Sequence, residues 1–320
     1  MDAAVLRTFG KPPRFEQFPE PTPGENEAIV RVRAAALKPV DRQVANGSHY
    51  ASPRELPAVC GTDGVGHLVD GTRVFFGGPR RPYGAMAQRA VVRRAFCFPI
   101  PEGVDDDTAA ALPNPGVSAW LSLTWRARVA PGETVLILGA TGVTGKLAVQ
   151  IAKLLGAGRV VAAGRSERVL STLHDLGADV TIQLDKSDQE LTEAFAHEVA
   201  DAGFHVIIDY LWGRPTEVLI AAITRSEFAV VTSEMRLVQV GESAGPAISL
   251  PAAVLRSRAL TILGTAGIPP RDVLDDAYRE VMARAASGEL RIDTERVPLV
   301  DIEDAWQREV RGGRRLVIIP

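Results

Sequence analysis

The feature that most constrains the fold is a set of three glycines near the middle of the chain. Gly139, Gly142 and Gly145 are spaced three residues apart, after the apolar run Thr134–Leu138 and before residues 145–155, which have helical periodicity. A strand, a glycine-rich turn and a helix in this order predict a dinucleotide site, because the helix N-terminus offers free N–H groups to phosphates. The spacing differs from the usual G-x-G-x-x-G, and no Gly-Lys-Ser/Thr tripeptide closes a P-loop. A glycine-rich turn without a ligand is the alternative.

The chain beyond residue 131 alternates between strand and helix patterns, which favours an α/β fold with a parallel sheet. The predicted strands are 134–138, 159–163, 179–182, 206–210, 237–240 and 260–263, and the predicted helices are 145–155, 166–176 and 189–200. Ser166 is the expected N-cap of the second helix, and Gly177 is its expected end. Residues 227–233 fit neither pattern.

The two ends of the chain have a different pattern. Strand-like runs at 28–35, 71–77 and 90–92, separated by prolines and glycines, predict a β-rich first domain, with an acidic helix start at 105–108. A helix is predicted over 271–286, followed by a β-like tail over 314–319. Since the tail does not fit the alternating series, we expect it to return to the first domain.

The residues after the second predicted strand indicate which dinucleotide binds. An NAD site has a carboxylate about twenty residues after the glycine loop to accept the ribose 2′-hydroxyl. Counting from Gly145, that position holds Arg165, followed by Ser166. A guanidinium and a hydroxyl suit a 2′-phosphate, so we predict NADPH. The alternative is that Arg165 is a solvated residue at a helix start.

Composition and cysteine content exclude several classes of protein. With 36 basic and 39 acidic residues in 320, the formal net charge is −3, so we expect no nucleic-acid or membrane partner. Cys60 and Cys97 are too few for a disulfide framework or a four-cysteine zinc site, and no histidines or cysteines have metal-ligand spacing. No basic and apolar leader and no long apolar stretch is evident. We expect a cytoplasmic protein without a metal ion.

Two enzyme motifs are incomplete. The four tyrosines, Tyr50, Tyr83, Tyr210 and Tyr278, all lack a lysine four residues later, which excludes short-chain dehydrogenase chemistry. Residues 241–245 match the hydrolase pattern G-x-S-x-G, but the proline-bounded segment that follows is not helical in pattern.

Six segments together carry a resemblance that extends over nearly the whole chain. They are residues 38–41, 61–66, 83–87, 110–113, 116–120 and 139–153. In order and spacing they resemble the zinc-independent quinone oxidoreductases of the medium-chain dehydrogenase/reductase superfamily. The resemblance implies an α/β fold, with a doubly wound parallel Rossmann sheet over 117–267 and a β-rich GroES-like catalytic domain over 1–116 and 268–320.

The resemblance also implies hydride transfer without a metal. Zinc-dependent members have a cysteine where this chain has Lys38, and Gly-His-Glu where it has Gly61-Thr62-Asp63. Quinone oxidoreductases usually have an asparagine at the Lys38 position, so Lys38 either stabilises a developing oxyanion or points at Asp41 as a structural group. Tyr50 resembles a substrate-side tyrosine of the family. The candidate catalytic residues are Tyr50, Lys38 and Thr62.

The family pattern assigns the expected cofactor contacts. They are Gly139, Ala140, Thr141, Gly142, Val143, Thr144 and Gly145 for the phosphates, Gly164, Arg165, Ser166 and Arg168 for the adenosine end, and Ser118, Val240, Gly241, Gly264 and Thr265 for the nicotinamide. The implied activity is NADPH-dependent reduction of a quinone or an α,β-unsaturated carbonyl by a homodimer. The alternatives are an enoyl-thioester reductase and an NADPH-binding regulator or RNA-binding protein with little turnover.

Overall fold

The computed structural model describes residues 1–201, 203–225, 234–265, 269–308 and 312–320, so the unassigned segment 227–233 lies outside the described residues. The chain forms two compact units. Unit 1 comprises Met1–Asn114 and Met282–Pro320, and unit 2 comprises Pro115–Val281. The domain limits expected from the family resemblance remain a prediction.

Sixteen strands and ten α-helices lie within the described residues. The strands are β1 (Asp2–Leu6), β2 (Arg14–Gln17), β3 (Glu27–Leu37), β4 (Ala58–Val59), β5 (Asp63–His67), β6 (Arg73–Gly77), β7 (Arg89–Arg93), β8 (Cys97–Pro99), β9 (Thr134–Leu138), β10 (Arg159–Gly164), β11 (Val180–Gln183), β12 (Val206–Asp209), β13 (Met235–Gln239), β14 (Leu260–Gly264), β15 (Asp293–Pro298) and β16 (Arg314–Ile319). The helices are α1 (Pro39–Ala45), α2 (Asp106–Ala111), α3 (Pro113–Leu121), α4 (Val143–Leu154), α5 (Glu167–Thr172), α6 (Asp188–Asp201), α7 (Arg214–Arg225), α8 (Ala252–Ser257), α9 (Arg271–Ala286) and α10 (Ile302–Gln307).

Unit 2 is built on a parallel sheet with the strand order β11-β10-β9-β12-β13-β14. All five residues of β9 are buried, as expected for a strand covered on both faces. The chain leaves β9 toward β10 and β11 on one side, and later returns to β12, β13 and β14 on the other. The order therefore reverses between β9 and β12, as in doubly wound dinucleotide-binding sheets. The predicted parallel α/β fold is confirmed.

Unit 1 is β-rich and contains two sheets. One has seven strands, six in the order β15-β16-β3-β5-β6-β8 and the seventh, β7, paired with β3, and the other has three strands in the order β2-β1-β4. Strand β16 pairs in parallel with β15 and antiparallel with β3. The β-like tail therefore returns to the first part of the chain, as its pattern predicted. Alternating burial along β3 places Val30 and Val32 in the core.

The second predicted helix is shorter than expected. Helix α5 ends at Thr172, and a separate 3-10 turn spans His174–Leu176 before Gly177, whose φ of +104° ends the segment. Ser166 occupies the N-cap position but makes no capping hydrogen bond with its side chain. By contrast, α9 has the limits predicted for it.

None of the described helices is both long enough and apolar enough to cross a membrane.

Candidate functional site

The glycine loop links β9 to α4 in unit 2. Gly139 has a φ of +88°, and its N–H, like that of Ala140, donates to the carbonyl oxygen of Ala163 at 2.9 Å. Gly142 is the N-cap of α4 and has no side chain with which to cap the helix. Because the first N–H groups of a helix lack intrahelical acceptors, this end of α4 is suited to phosphate oxygens.

The second and third glycines of the loop, Gly142 and Gly145, meet different steric demands. A Cβ at Gly145 would lie 2.2 Å from the carbonyl oxygen of Gly139 and 2.6 Å from the Cα of Ala140, so helix and strand pack too closely for a side chain. A Cβ at Gly142 would lie at an ordinary 3.4 Å from the same oxygen. The loop therefore fits a bound pyrophosphate, with one glycine for the turn, one for the close packing and one on its open side.

The end of β10 lies against this loop. A Cβ at Gly164 would lie 2.3 Å from Cγ2 of Thr141, so the backbone of Gly164 packs directly against the Thr141 side chain. Arg165, Ser166 and Arg168 follow directly and are all exposed. The structure thus brings the segment that holds the four residues predicted for the adenosine end, Gly164, Arg165, Ser166 and Arg168, next to the loop predicted for the phosphates.

Asp209, which the sequence analysis did not single out, organises the neighbouring strand end. Its fully buried carboxylate accepts hydrogen bonds from the N–H groups of Leu211 at 2.8 Å and Trp212 at 2.9 Å, and from the hydroxyl of Thr216 at 2.5 Å. Burial raises the pKa of Asp209, while these hydrogen bonds oppose that rise. An acidic residue at the end of an apolar strand was the signal that could have identified it.

The main chain of Asp209 also positions two predicted nicotinamide contacts. Its carbonyl oxygen accepts from the N–H of Val240 at 2.8 Å and from that of Gly241 at 3.1 Å. A Cβ at Gly241 would lie 2.7 Å from the carbonyl oxygen of Tyr210, which explains the glycine.

The register of the sheet aligns the strand ends. Leu138 pairs with Ala163 and with Asp209, and Gln239 pairs with Gly264. The glycine loop, residues 164–168, residues 240–241 and residues 264–265 therefore follow the same carboxyl edge, where doubly wound sheets bind ligands. Ser118 lies on α3, outside the sheet, where its carbonyl oxygen accepts from the hydroxyl of Ser122.

The candidate catalytic residues of unit 1 fall into two environments. Lys38 is buried and forms ion pairs with two carboxylates, with Nζ 2.6 Å from Asp63 and 3.3 Å from Asp41. Thr62 is half-buried and contacts the other oxygen of Asp41. Tyr50 is 96% exposed in the loop after α1, with its ring centroid 4.1 Å from that of His49. Asp41 thus joins two of the three candidates, Lys38 and Thr62.

Electrostatics keep the Lys38 side chain charged. Burial favours the neutral amine, but the carboxylates of Asp41 and Asp63 outweigh burial and raise the pKa of Lys38. Since a lysine ordinarily titrates near pH ~10.4, the ammonium is charged at physiological pH.

Metal-ligating side chains are sparse in the described part of the chain. No group of three or more His, Cys, Asp or Glu side chains there is arranged to hold a metal ion. Burial raises the pKa of Cys60 to about 12, so its thiol is protonated at neutral pH and is a poor ligand or nucleophile.

Comparison with known proteins identifies the family. The model of the family described as zinc-binding dehydrogenase matches residues 143–287. The quinone oxidoreductase-like protein 2 of Bos taurus is 30% identical over 82% of this chain and 74% of its own length. The chain belongs to the medium-chain dehydrogenase/reductase superfamily. Within this superfamily it is quinone-reductase-like, since a probable NADPH-dependent quinone reductase of Emericella nidulans is 27% identical over the full length of both chains.

A solved structure of the same superfamily supports the fold. The quinone oxidoreductase of Thermus thermophilus, reported also as a complex with NADPH, covers 100% of both chains with a TM-score of 0.79 and 26% identity. The segment that matches the zinc-binding dehydrogenase family begins at residue 143, so it does not include Lys38, Thr62 or Asp63, at which zinc-dependent members differ from this chain. Membership of this medium-chain oxidoreductase superfamily therefore does not determine whether the chain uses a metal ion. That depends on residues of unit 1, which the matched segment does not include.

Proposed function

We propose that the chain is an NADPH-dependent reductase that transfers a hydride, without a metal ion, to a quinone or an α,β-unsaturated carbonyl compound. The observation that carries the proposal is the loop Gly139–Gly145 at the carboxyl edge of the parallel sheet, beside the reversal of strand order between β9 and β12. The quinone reductases of Emericella nidulans and Thermus thermophilus support the choice of cofactor and acceptor.

Each part of the cofactor has proposed contacts along this edge. The N-terminus of α4 binds the pyrophosphate, while Arg165, Ser166 and Arg168 bind the 2′-phosphate, as their exposed positions allow. Ser118 and residues 240–241 and 264–265 hold the nicotinamide. When bound, NADPH supplies the hydride from C4 of its nicotinamide.

The chain must also manage the negative charge that develops on the acceptor oxygen. Tyr50 is the proposed proton donor, because its exposed phenol is available to an incoming ligand. Lys38 contributes a fixed positive charge. If a Tyr50→Phe variant retains full turnover, water and not Tyr50 provides the proton, since water can protonate a hydroquinone anion.

The oligomer and the domain limits belong to the same proposal. We infer a homodimer, by the family resemblance, and domain limits at residues 116 and 268. Light scattering of the purified protein measures the oligomeric state, and limited proteolysis near residues 116 and 268 tests the domain limits.

The deciding experiment follows NADPH oxidation with a panel of quinones and conjugated enones, with a chelator present and with NADH in parallel. We expect turnover that is faster with NADPH than with NADH and is unchanged by the chelator.

Arg165→Ala should reduce the preference for NADPH over NADH about tenfold. The control is Arg256→Ala, which replaces an exposed arginine on α8 and should not change this preference. Preference for NADH overturns the assignment of Arg165. Tight NADPH binding without turnover on any acceptor favours a regulatory protein.

A further inference from the structure

The Lys38 ammonium is enclosed by oxygen atoms of the protein. Nζ donates hydrogen bonds to Oδ1 of Asp63 at 2.6 Å and to the carbonyl oxygen of Ala36 at 3.2 Å. It also forms an ion pair with Oδ2 of Asp41 at 3.3 Å. The side chain is 1% exposed, which leaves no open side for a fourth partner. Lys38 is therefore a fixed internal cation.

Asp41 determines the orientation of the Thr62 hydroxyl. Its Oδ2 accepts from the main-chain N–H of Lys38 at 2.9 Å, and its Oδ1 accepts from both the N–H and the hydroxyl of Thr62 at 2.9 Å. Both oxygens of the Asp41 carboxyl group thus face donors. The single hydroxyl hydrogen of Thr62 therefore points at Asp41.

The remaining surface of the Thr62 oxygen consists of lone pairs. Thr62 is half-buried, so part of the residue stays accessible, while Asp41 and Asp63 are buried. A group that approaches this oxygen meets an acceptor and can bind only by donating a hydrogen bond. A developing oxyanion would be repelled there.

We propose that Asp41 and Asp63 are positioning residues that hold Lys38 in place and fix Thr62 as a hydrogen-bond acceptor, so that Thr62 binds a ligand group carrying an O–H or N–H. This inference rests on the proposed function for the identity of the ligand. Two sources provide such a group. One is the reduced product, since a hydroquinone has two O–H groups whereas the quinone has only carbonyl oxygens. The other is the cofactor, through its ribose hydroxyls or its carboxamide.

The role of the Thr62 side chain depends on which of the two ligands it binds. If the reduced product is the source, Thr62 holds the product more tightly than the substrate, and its removal should speed product release. If the cofactor is the source, Thr62 contributes to NADPH affinity and is indifferent to the acceptor. In both cases the Thr62 hydroxyl provides no proton to the reaction.

The experiment compares Thr62→Val, which removes the acceptor, with Thr62→Ser, which keeps it. The dissociation constant of NADPH is measured by nicotinamide fluorescence. Those of benzene-1,4-diol and of 1,4-dimethoxybenzene, which lacks the O–H groups, are measured by calorimetry on the NADP⁺-loaded protein. Melting temperatures of both variants verify that they fold.

We expect Thr62→Val to weaken either NADPH or benzene-1,4-diol by about three- to tenfold, the loss of one hydrogen bond. The ligand that weakens identifies the source. Thr62→Ser should stay within about twofold for all three ligands, and 1,4-dimethoxybenzene should not distinguish the variants. Equal affinities of wild type and Thr62→Val for NADPH and the diol overturn the inference, as does an equal loss for the dimethoxy compound. If the wild type does not bind NADPH, the proposed function fails first, and this inference fails with it.

Discussion

Thr216 donates its hydroxyl hydrogen to Oδ2 of Asp209 at 2.5 Å, and both residues are fully buried. The same carboxylate accepts from the N–H groups of Leu211 and Trp212 through Oδ1, so it fixes the chain directly after β12. The main-chain oxygen of Asp209 adds the hydrogen bonds that hold residues 240–241. One acidic residue thereby joins the end of β12 to residues 240–241 of the proposed nicotinamide site.

Removing the Thr216 hydroxyl should destabilise unit 2. Thr216→Val leaves one buried carboxylate oxygen without its donor, and we expect the free energy of unfolding to fall by about 1.5–3 kcal/mol. Thr224→Val, on the same helix α7, removes a hydroxyl bonded only to the carbonyl oxygen of Ile220 and should cost less than about 0.5 kcal/mol. Urea unfolding of the two variants measures both values. Equal stability of the two would show that the Asp209 bond contributes nothing.

The glycine loop should tolerate alanine at one position and reject it at another. Gly145→Ala places a Cβ 2.2 Å from the carbonyl oxygen of Gly139, a backbone atom that can move only with the loop. We expect a loss of about 1–3 kcal/mol in stability, as for other overpacked sites. Gly142→Ala, at 3.4 Å from the same atom, should cost clearly less. Thermal melts compare the two, and a smaller loss for Gly145→Ala contradicts the geometry.

The contact between Gly164 and Thr141 should show coupling in a double-mutant cycle. Gly164→Ala introduces a Cβ 2.3 Å from Cγ2 and 2.8 Å from Oγ1 of Thr141, so the alanine alone should be destabilising. Thr141→Ala removes both atoms and should restore part of that loss, with a coupling energy of about 0.5–3 kcal/mol. Denaturant unfolding of the four proteins gives this energy. Strict additivity would mean that β10 and the loop move apart freely.

Loss of Lys38 should leave two buried carboxylates without the ammonium that contacts both of them. We expect Lys38→Met to lower the free energy of unfolding by about 3–5 kcal/mol, as when one partner of a buried pair is removed. Lys11→Met, at an exposed lysine, should stay within about 0.5 kcal/mol. Chemical unfolding at neutral pH measures both.

The contribution of Lys38 should also depend on pH. The pKa of Lys38 is raised in the folded chain because Asp41 and Asp63 outweigh burial. A raised pKa means that the stabilisation is complete below the ordinary value of about 10.4 and is lost as the pH rises through the folded value. The stability difference between wild type and Lys38→Met should thus decrease as the pH rises above about 10.4. A difference that stays unchanged in strongly alkaline solution would contradict this contribution of the Lys38 charge.

The sequence predicts the sheet of unit 2 well for a physical reason. Strands covered on both faces are continuous apolar runs, and β9 is such a run within the limits expected for it. Helix α9 begins and ends as its pattern predicts. Helix α7 was not predicted, although Pro215 in its first turn and the buried Val218, Leu219 and Ile223 follow the rules for a helix start and an apolar face.

The polar partnerships were less predictable, because they join residues that are distant in sequence. Lys38 and Asp63 are 25 positions apart, and their pairing depends on how β5 lies beside β3. Local periodicity predicts which residues form strands, but it gives no information on the distance between two side chains on different strands. The pairing of Lys38 with Asp63 could therefore be found only in the folded structure.

Strand β16 lies between β15 and β3, so it is an interior strand of its sheet. Its residues, Arg314–Ile319, are synthesised after every residue of unit 2. During synthesis, β3 therefore lacks its partner β16 at a stage when all strands of the parallel sheet of unit 2 have already been made. Domains generally fold in the order of their synthesis, but here the first part of the chain cannot complete its sheet before unit 2 does. We therefore expect the middle of this protein to become protease-resistant during translation before its beginning does.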